Sequence, residues 1–253
     1  MEDCNPVQTP IVPGTKISRD ENEQTVNETV FRQLVGSMMY ITATRPDIMY
    51  VVSLISRYAS RPTELHLSAA KRVLRYLKGT SDFRLFYKKD GNKELIGFTD
   101  SDYAGDVDDI KSTSGYAFIL SSAAVAWASR KQPIVTLSTT EAEYVAVASC
   151  STQAIWMKRI LQKLGYAGRE NTVIYCDNSS TIKLSKNLVF HGRSKHIQVR
   201  FQFLRDLAND GVVHLKYCGT KDQVADLFTK PLKLESFQRL REELGVCASV
   251  GLN

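Results

Sequence analysis

Leu95-Ile96-Gly97-Phe98-Thr99-Asp100 and Thr172-Val173-Ile174-Tyr175-Cys176-Asp177 are two short, β-prone apolar stretches, each closed by an aspartate. Both read as strands. In open α/β sheets, reactive groups collect at the carboxyl ends of strands. An aspartate at two such ends is therefore the first chemical signal in the chain.

The surroundings extend the pattern. Gly115 to Leu120 and Ala124 to Ser129 flank Ser121-Ser122 and predict a hairpin. Ser138-x-x-Glu141 is a capping box opening a helix to about Leu164, closed by Gly165. Glu143 lies one turn into that helix. After Asp177 a short helix is expected, then a basic helix near Lys195 to Leu207, a turn at Asn209-Asp210-Gly211, and a strand from Val212 to Tyr217. A last helix is expected over Gln223 to Thr229, ended by Pro231, and it carries Asp226. The order β-β-β-α-β-α-α-β-α predicts an α/β fold, a mixed sheet with helices on its faces.

If the parallel strands are neighbours, Asp100, Glu143, Asp177 and Asp226 converge. Converged carboxylates repel one another in a partly desolvated site and call for a cation. Oxygen-only ligands favour magnesium or manganese. Two such ions about 4 Å apart can activate water and stabilise the leaving oxygen of a phosphodiester. Taken singly, each acid also has a plain reading as a cap or surface charge, and Asp177 before Asn178-Ser179-Ser180 is a plausible helix cap.

Upstream, residues 1–24 are polar, carry Pro6, Pro10 and Pro13, and read as an extended tail. Three helical patterns follow: Phe31, Leu34, Val35, Met38 and Ile41; Ile48, Val51, Val52, Ile55 and Tyr58 after Pro46; and Leu67, Ala70, Val73, Leu74 and Leu77 between Thr63 as N-cap and Gly79 as C-cap. They predict a small helical unit. Leu85-Phe86-Tyr87 reads as a short strand before the turn Asp90-Gly91.

The chain of 253 residues is 43% hydrophobic and 24% charged, a globular balance that excludes long disorder. Five cysteines without a C-x-x-C pair support neither a disulfide framework nor a zinc knuckle. No stretch approaches the roughly 20 apolar residues of a membrane helix, and the N-terminus has no apolar signal core; an intracellular location, cytoplasmic or nuclear, is the expectation. The net charge of +6 is concentrated. Leu65 to Gly79 carries Lys71, Arg72, Arg75 and Lys78. Lys183 to Arg205 carries Lys183, Lys186, Arg193, Lys195, Arg200 and Arg205. Neither stretch contains an acid. Each reads either as a polyanion contact or as a solvated helix face. His191 and His196 are five apart and do not share a helix face as a metal pair.

The chain resembles the C-terminal end of the Pol polyprotein of copia-type LTR retrotransposons, in particular its ribonuclease H domain. The segments carrying the resemblance are Arg32-Gln33-Leu34-Val35-Gly36-Ser37-Met38-Met39-Tyr40, Thr44-Arg45-Pro46-Asp47-Ile48, Ala69 to Gly79, Thr99 to Asp106, Lys111-Ser112-Thr113-Ser114-Gly115-Tyr116, Ser138-Thr139-Thr140-Glu141-Ala142-Glu143-Tyr144, Asp177-Asn178, Ser194-Lys195-His196-Ile197 and Gln223-Val224-Ala225-Asp226. The resemblance implies a ribonuclease H-like mixed sheet flanked by helices and preceded by a small helical unit. It implies a division into a tail (1–24), a helical remnant of the reverse transcriptase and its connection (25–90), the ribonuclease H-like domain (91–232), and a C-terminal helix and tail (233–253).

The resemblance further implies that Asp100, Glu143, Asp177 and Asp226 are the catalytic, metal-binding acids, with Mg2+ as cofactor and Mn2+ as substitute. Asp100 would bridge two ions, Glu143 and Asp177 would complete one site, and Asp226 the other. Asp102 is the rival for the first position, and Glu141 is assigned to capping. The implied reaction is hydrolysis of the RNA strand of an RNA–DNA hybrid, leaving a 3′-hydroxyl and a 5′-phosphate. Lys186, Arg193, Lys195, His196 and Arg200 would hold the hybrid, and an upstream reverse transcriptase would be the partner within Pol. The polymerase palm motif is absent, Val107-Asp108-Asp109 being a loop coincidence, and no protease or integrase signature appears. The alternatives are a hybrid-binding remnant without turnover and a domesticated protein, including a secreted, host-directed effector. The last rests on the R-x-L-R string Arg72-Val73-Leu74-Arg75, which the helix pattern already explains.

Overall fold

The computed structural model describes residues 3–19, 22–89, 92–166, 171–186 and 198–249. The helical unit forms where the 3.6-residue periodicity predicts it. Helix α1 spans Glu28–Ile41, its N-terminus capped by the Asn27 side chain, which accepts from the Val30 N–H. Phe31, Val35 and Met38 form its buried face. Pro46-Asp47-Ile48 makes a 3-10 turn into α2, Met49–Ser56, and α3 spans Glu64–Lys78. At the start of α3 the Thr63 N–H donates to His66 Nδ1 at 2.9 Å. Gly79 ends α3 with a right-handed φ of −79°, not the left-handed cap the sequence suggests. A Cβ there would lie 2.9 Å from Pro6 Cβ, so the glycine allows the tail to approach.

The tail is strapped onto this unit. Ile11 and Ile17 are buried, the Tyr58 hydroxyl donates to Ile17 O, Arg75 Nε donates to Asn5 O, and Lys78 Nζ donates to Cys4 O. Arg72 Nη2 donates to Thr9 Oγ1. Three of the four basic residues of α3 thus hold the tail.

Strand β1, Phe83–Leu85, lies two residues earlier than expected and pairs antiparallel with β7, Val246–Ala248. The main sheet has five strands: β2 (Asn92–Ser101), β3 (Thr113–Ser121), β4 (Ala123–Lys131), β5 (Thr172–Cys176) and β6 (Val213–Tyr217). Their order is β4-β3-β2-β5-β6, with β2, β3 and β4 antiparallel and β5 and β6 parallel to β2. Helix α4, Thr139–Lys163, follows β4; α5 (Ser179–Lys186) and α6 (Gln198–Asn209) precede β6; α7 spans Leu234–Glu243.

The sheet buries both faces. Phe118, Tyr144, Val147, Ile174, Leu204 and Leu215 form the core between the sheet and α4 with α6. Ala117, Ala124, Val224, Phe228 and Phe237 join Phe31, Ile55 and Tyr76 in the core on the other side. The helical unit therefore packs directly on the sheet. It also covers the β4 edge: Ser53 Oγ donates to Ser129 O, and Trp127 Nε1 donates to Thr42 O. Among the described residues, no helix is long and apolar enough to cross a membrane.

Candidate active site

Asp100 and Asp177 lie at the carboxyl ends of adjacent parallel strands. The register Ile96 to Val173, Gly97 to Ile174 and Phe98 to Tyr175, continued two residues, brings Asp100 level with Asp177. Glu143 comes from the second turn of α4. Ser138 Oγ accepts the Glu141 N–H, and Glu141 Oε2 accepts the Leu137 N–H, so Glu141 caps the helix and leaves Glu143 to face the sheet. Glu143 Oε1 accepts the Ser101 N–H at 3.3 Å.

Asp226 arrives differently from expectation. Val224–Phe228 is a 3-10 turn, not an α-helix. The Gln223 side chain accepts from the Ala225 N–H, the Asp226 and Thr229 N–H groups close i to i+3 bonds, and Pro231 forbids elongation. Gln223 Nε2 donates to Thr99 O at 2.9 Å, pinning the turn beside Asp100. Gly115, the partner of Asp100 on β3, makes room for it: a Cβ there would lie 2.6 Å from Phe228 Cβ and 2.9 Å from Thr229 Cγ2.

Carboxylate oxygens of Asp100, Asp177 and Asp226 lie within 4.8 Å of one another, as do ligand atoms of Glu143, Cys176 and Asp177. The structure thus brings the four predicted acids together. Asp102 is held apart in a structural role: its Oδ1 accepts the Thr113 N–H at 2.5 Å, and burial raises its carboxyl to about 6. Asp106 is likewise occupied, pairing with Arg57 and Lys131 and accepting the N–H groups of Asp108 and Asp109.

Electrostatics in the cluster are dominated by burial and repulsion. Burial, then Asp100 and Asp177, push Glu143 up to about 9. Burial and Asp100 push Asp226 up to about 7, and the same causes raise Asp177. Lys230 Nζ lies 2.8 Å from Asp226 Oδ1 and 3.6 Å from Asp100 Oδ2. Burial opposes its charge, but Asp100 and Asp226 outweigh it and hold Lys230 above its usual range. Among the described residues, one ammonium faces four carboxyl groups, so the cluster calls for further positive charge. Burial keeps the Cys176 thiol well above its usual range, hence neutral, and the donor set is one of hard oxygens that fits a divalent cation of the magnesium type.

A carboxyl whose folded pKa is raised favours the fold while protonated. Its contribution to stability is greatest below its ordinary value and falls as pH rises toward the folded value. For Glu143 that window runs from about 4.5 to about 9. In EDTA at pH 8, Glu143→Gln is expected to raise unfolding free energy by about 2 kcal/mol, because the amide mimics the protonated acid. At pH 4 the difference should nearly vanish. Urea melts at the two pH values check this, and a variant no more stable than wild type at pH 8 would contradict it.

The nucleic-acid residues are only partly placed. Lys186 is exposed at the end of α5. Arg200 lies in α6. Arg193, Lys195 and His196, with the expected helix start near Lys195, lie outside the described residues. Thr229 and Lys230 were not among the sequence candidates. Their signal was a Thr-Lys pair beginning three residues after Asp226 and directly before Pro231.

Five strands in the order β4-β3-β2-β5-β6, with acids at the ends of β2 and β5, on α4 and in the turn after β6, define a ribonuclease H-like domain. No protein-family model matches the chain. A Pol polyprotein from transposon RE1 of Arabidopsis thaliana is 41% identical over 246 residues, 97% of this chain and 17% of that protein. A secreted RxLR effector protein of Plasmopara viticola is 44% identical over 124 residues, 49% of this chain and 87% of that protein. The solved N-terminal RNase H domain of a Mycobacterium tuberculosis protein aligns with a TM-score of 0.41 and 11% identity, over 60% of this chain and 98% of that one. Over nearly its whole length the chain is similar to Pol polyproteins of copia-type LTR retrotransposons, at about 40% identity. It spans about one sixth of the length of the Pol relatives it matches.

The string Arg72-Val73-Leu74-Arg75 lies within α3. Val73 is fully buried, and both arginines bond to the tail. The helix accounts for it.

Proposed function

We propose that this chain is a divalent-metal-dependent ribonuclease H that cuts the RNA strand of RNA–DNA hybrids within a retrotransposon Pol. The observation that supports this best is the convergence of Asp100, Asp177 and Asp226 oxygens within 4.8 Å, with Glu143 on the adjoining side. Asp100, which shares a cluster with Asp177 and Asp226, would be the common ligand, with Glu143 and Asp177 serving one side of the site and Asp226 the other. Magnesium or manganese bound there supplies activation of a water and stabilisation of the leaving 3′-oxygen. The protein's own part is to orient. The interior strands β2 and β5 hold two carboxylates at their carboxyl ends, and the Ser101 N–H steadies Glu143. The 2′-hydroxyls of the substrate distinguish RNA from DNA. Lys186, Arg193, Lys195, His196 and Arg200 hold the hybrid backbone, which makes binding weaken with salt.

The test is cleavage of a labelled RNA–DNA hybrid with Mg2+ or Mn2+. Cleavage that is lost in EDTA and in Asp177→Asn is expected. Hybrid binding by a folded protein without cleavage would overturn the enzymatic reading in favour of a binding remnant.

A further inference from the structure

We propose that Thr229 is a positioning residue for the metal centre: its hydroxyl holds the Asp100 carboxylate in the orientation from which it reaches a divalent cation together with Asp177 and Asp226. The inference rests on the metal-centre reading above. Thr229 is fully buried, and its Oγ1 donates to Asp100 Oδ2. The same hydroxyl lies 3.4 Å from Asp226 O, a longer and uncharged alternative. A hydroxyl has one proton, and the carboxylate is the stronger acceptor.

The side chain cannot turn away easily. A β-branched residue has few χ1 choices, and its methyl packs where a Gly115 side chain would be, with 2.9 Å between Thr229 Cγ2 and the position of such a Cβ. Gly115 is the register partner of Asp100. The strand that pairs with Asp100 therefore also sets the rotamer that aims the hydroxyl at it. The Thr229 N–H bonds to Asp226 O at 3.3 Å, so one residue, 129 positions along the chain from Asp100, ties the first acid of the site to the last. Groups that orient metal ligands in this way typically carry 10- to 100-fold of metal affinity.

The test is Mn2+ binding to the full chain, followed by electron paramagnetic resonance of the free ion, in wild type, Thr229→Val, Thr229→Ala and Thr229→Ser. Thr229→Val and Thr229→Ala are expected to weaken Mn2+ binding about 10- to 100-fold. Thr229→Ser, which keeps the hydroxyl, should stay within about threefold of wild type. Circular dichroism melts identify which variants fold, and Thr229→Ala serves if Thr229→Val does not. Equal affinity in wild type and in a folded variant lacking the hydroxyl would overturn the proposal, as would a Thr229→Ser variant as weak as Thr229→Ala. A wild type without saturable Mn2+ binding would overturn the metal-centre reading itself, and this inference with it.

Discussion

Asp100→Asn is expected to reduce hybrid cleavage at least about 1,000-fold, a loss of roughly 4 kcal/mol of transition-state stabilisation. Asp100 is 2% exposed, ends β2 and shares the 4.8 Å cluster with both Asp177 and Asp226. An amide in its place retains one neutral oxygen donor and removes the charge that attracts a cation from both sides. The fold should survive, because the amide fits the same space and lowers repulsion with Glu143 and Asp226. Single-turnover kinetics beside a melting curve separate the two effects. A variant that retains more than about one tenth of wild-type activity would contradict the role proposed for Asp100.

The second large effect concerns stability. Asp47→Ala is expected to cost about 3–5 kcal/mol, because it leaves a buried guanidinium without its carboxylate. Arg45 Nε and Nη2 donate to the two oxygens of Asp47 at 2.9 and 2.7 Å, both residues being buried. The Tyr76 hydroxyl also donates to Asp47 Oδ2, and Arg45 reaches Thr80 through Nη1 and Nη2. Arg241 of α7 donates to the Tyr76 hydroxyl. The network thus joins the turn before α2 to α3 and to the C-terminal helix. Urea denaturation measures the effect. Asp47→Ala combined with Arg45→Met should recover part of the loss, since removing both charges leaves neither unpaired. A loss below about 1 kcal/mol for Asp47→Ala would show that water reaches the guanidinium.

The strand ends at Asp100 and Asp177 were legible because a short apolar run closed by an acid is a local pattern. Glu143 was legible through Ser138 and Glu141, whose cap fixes the phase of the helix. Four features were not. Strand β7 is three residues long and pairs with β1 across most of the chain, so it carries too little periodicity to be recognised alone, and β1 itself starts two residues before the expected strand. The last acid was expected on an α-helix, yet Gln223 and Pro231 confine it to a 3-10 turn whose position depends on a bond to Thr99. The basic run on α3 reads as a polyanion contact or a solvated helix face, but the carbonyls of Asn5 and Cys4 take up Arg75 and Lys78. Thr229 was read as a helix end because the partner of its hydroxyl lies on another element. Gly115 is the residue that could have exposed this contact, since a glycine inside a predicted strand marks a close approach.

The most direct measurement is end analysis of products from a uniform RNA–DNA hybrid, run beside double-stranded DNA and double-stranded RNA of the same sequence in Mg2+ and Mn2+. RNA fragments with 5′-phosphate and 3′-hydroxyl ends, from the hybrid alone and only with divalent metal, are the predicted result. Intact hybrid in both metals, with the protein folded, or equal cutting of all three duplexes, would contradict it.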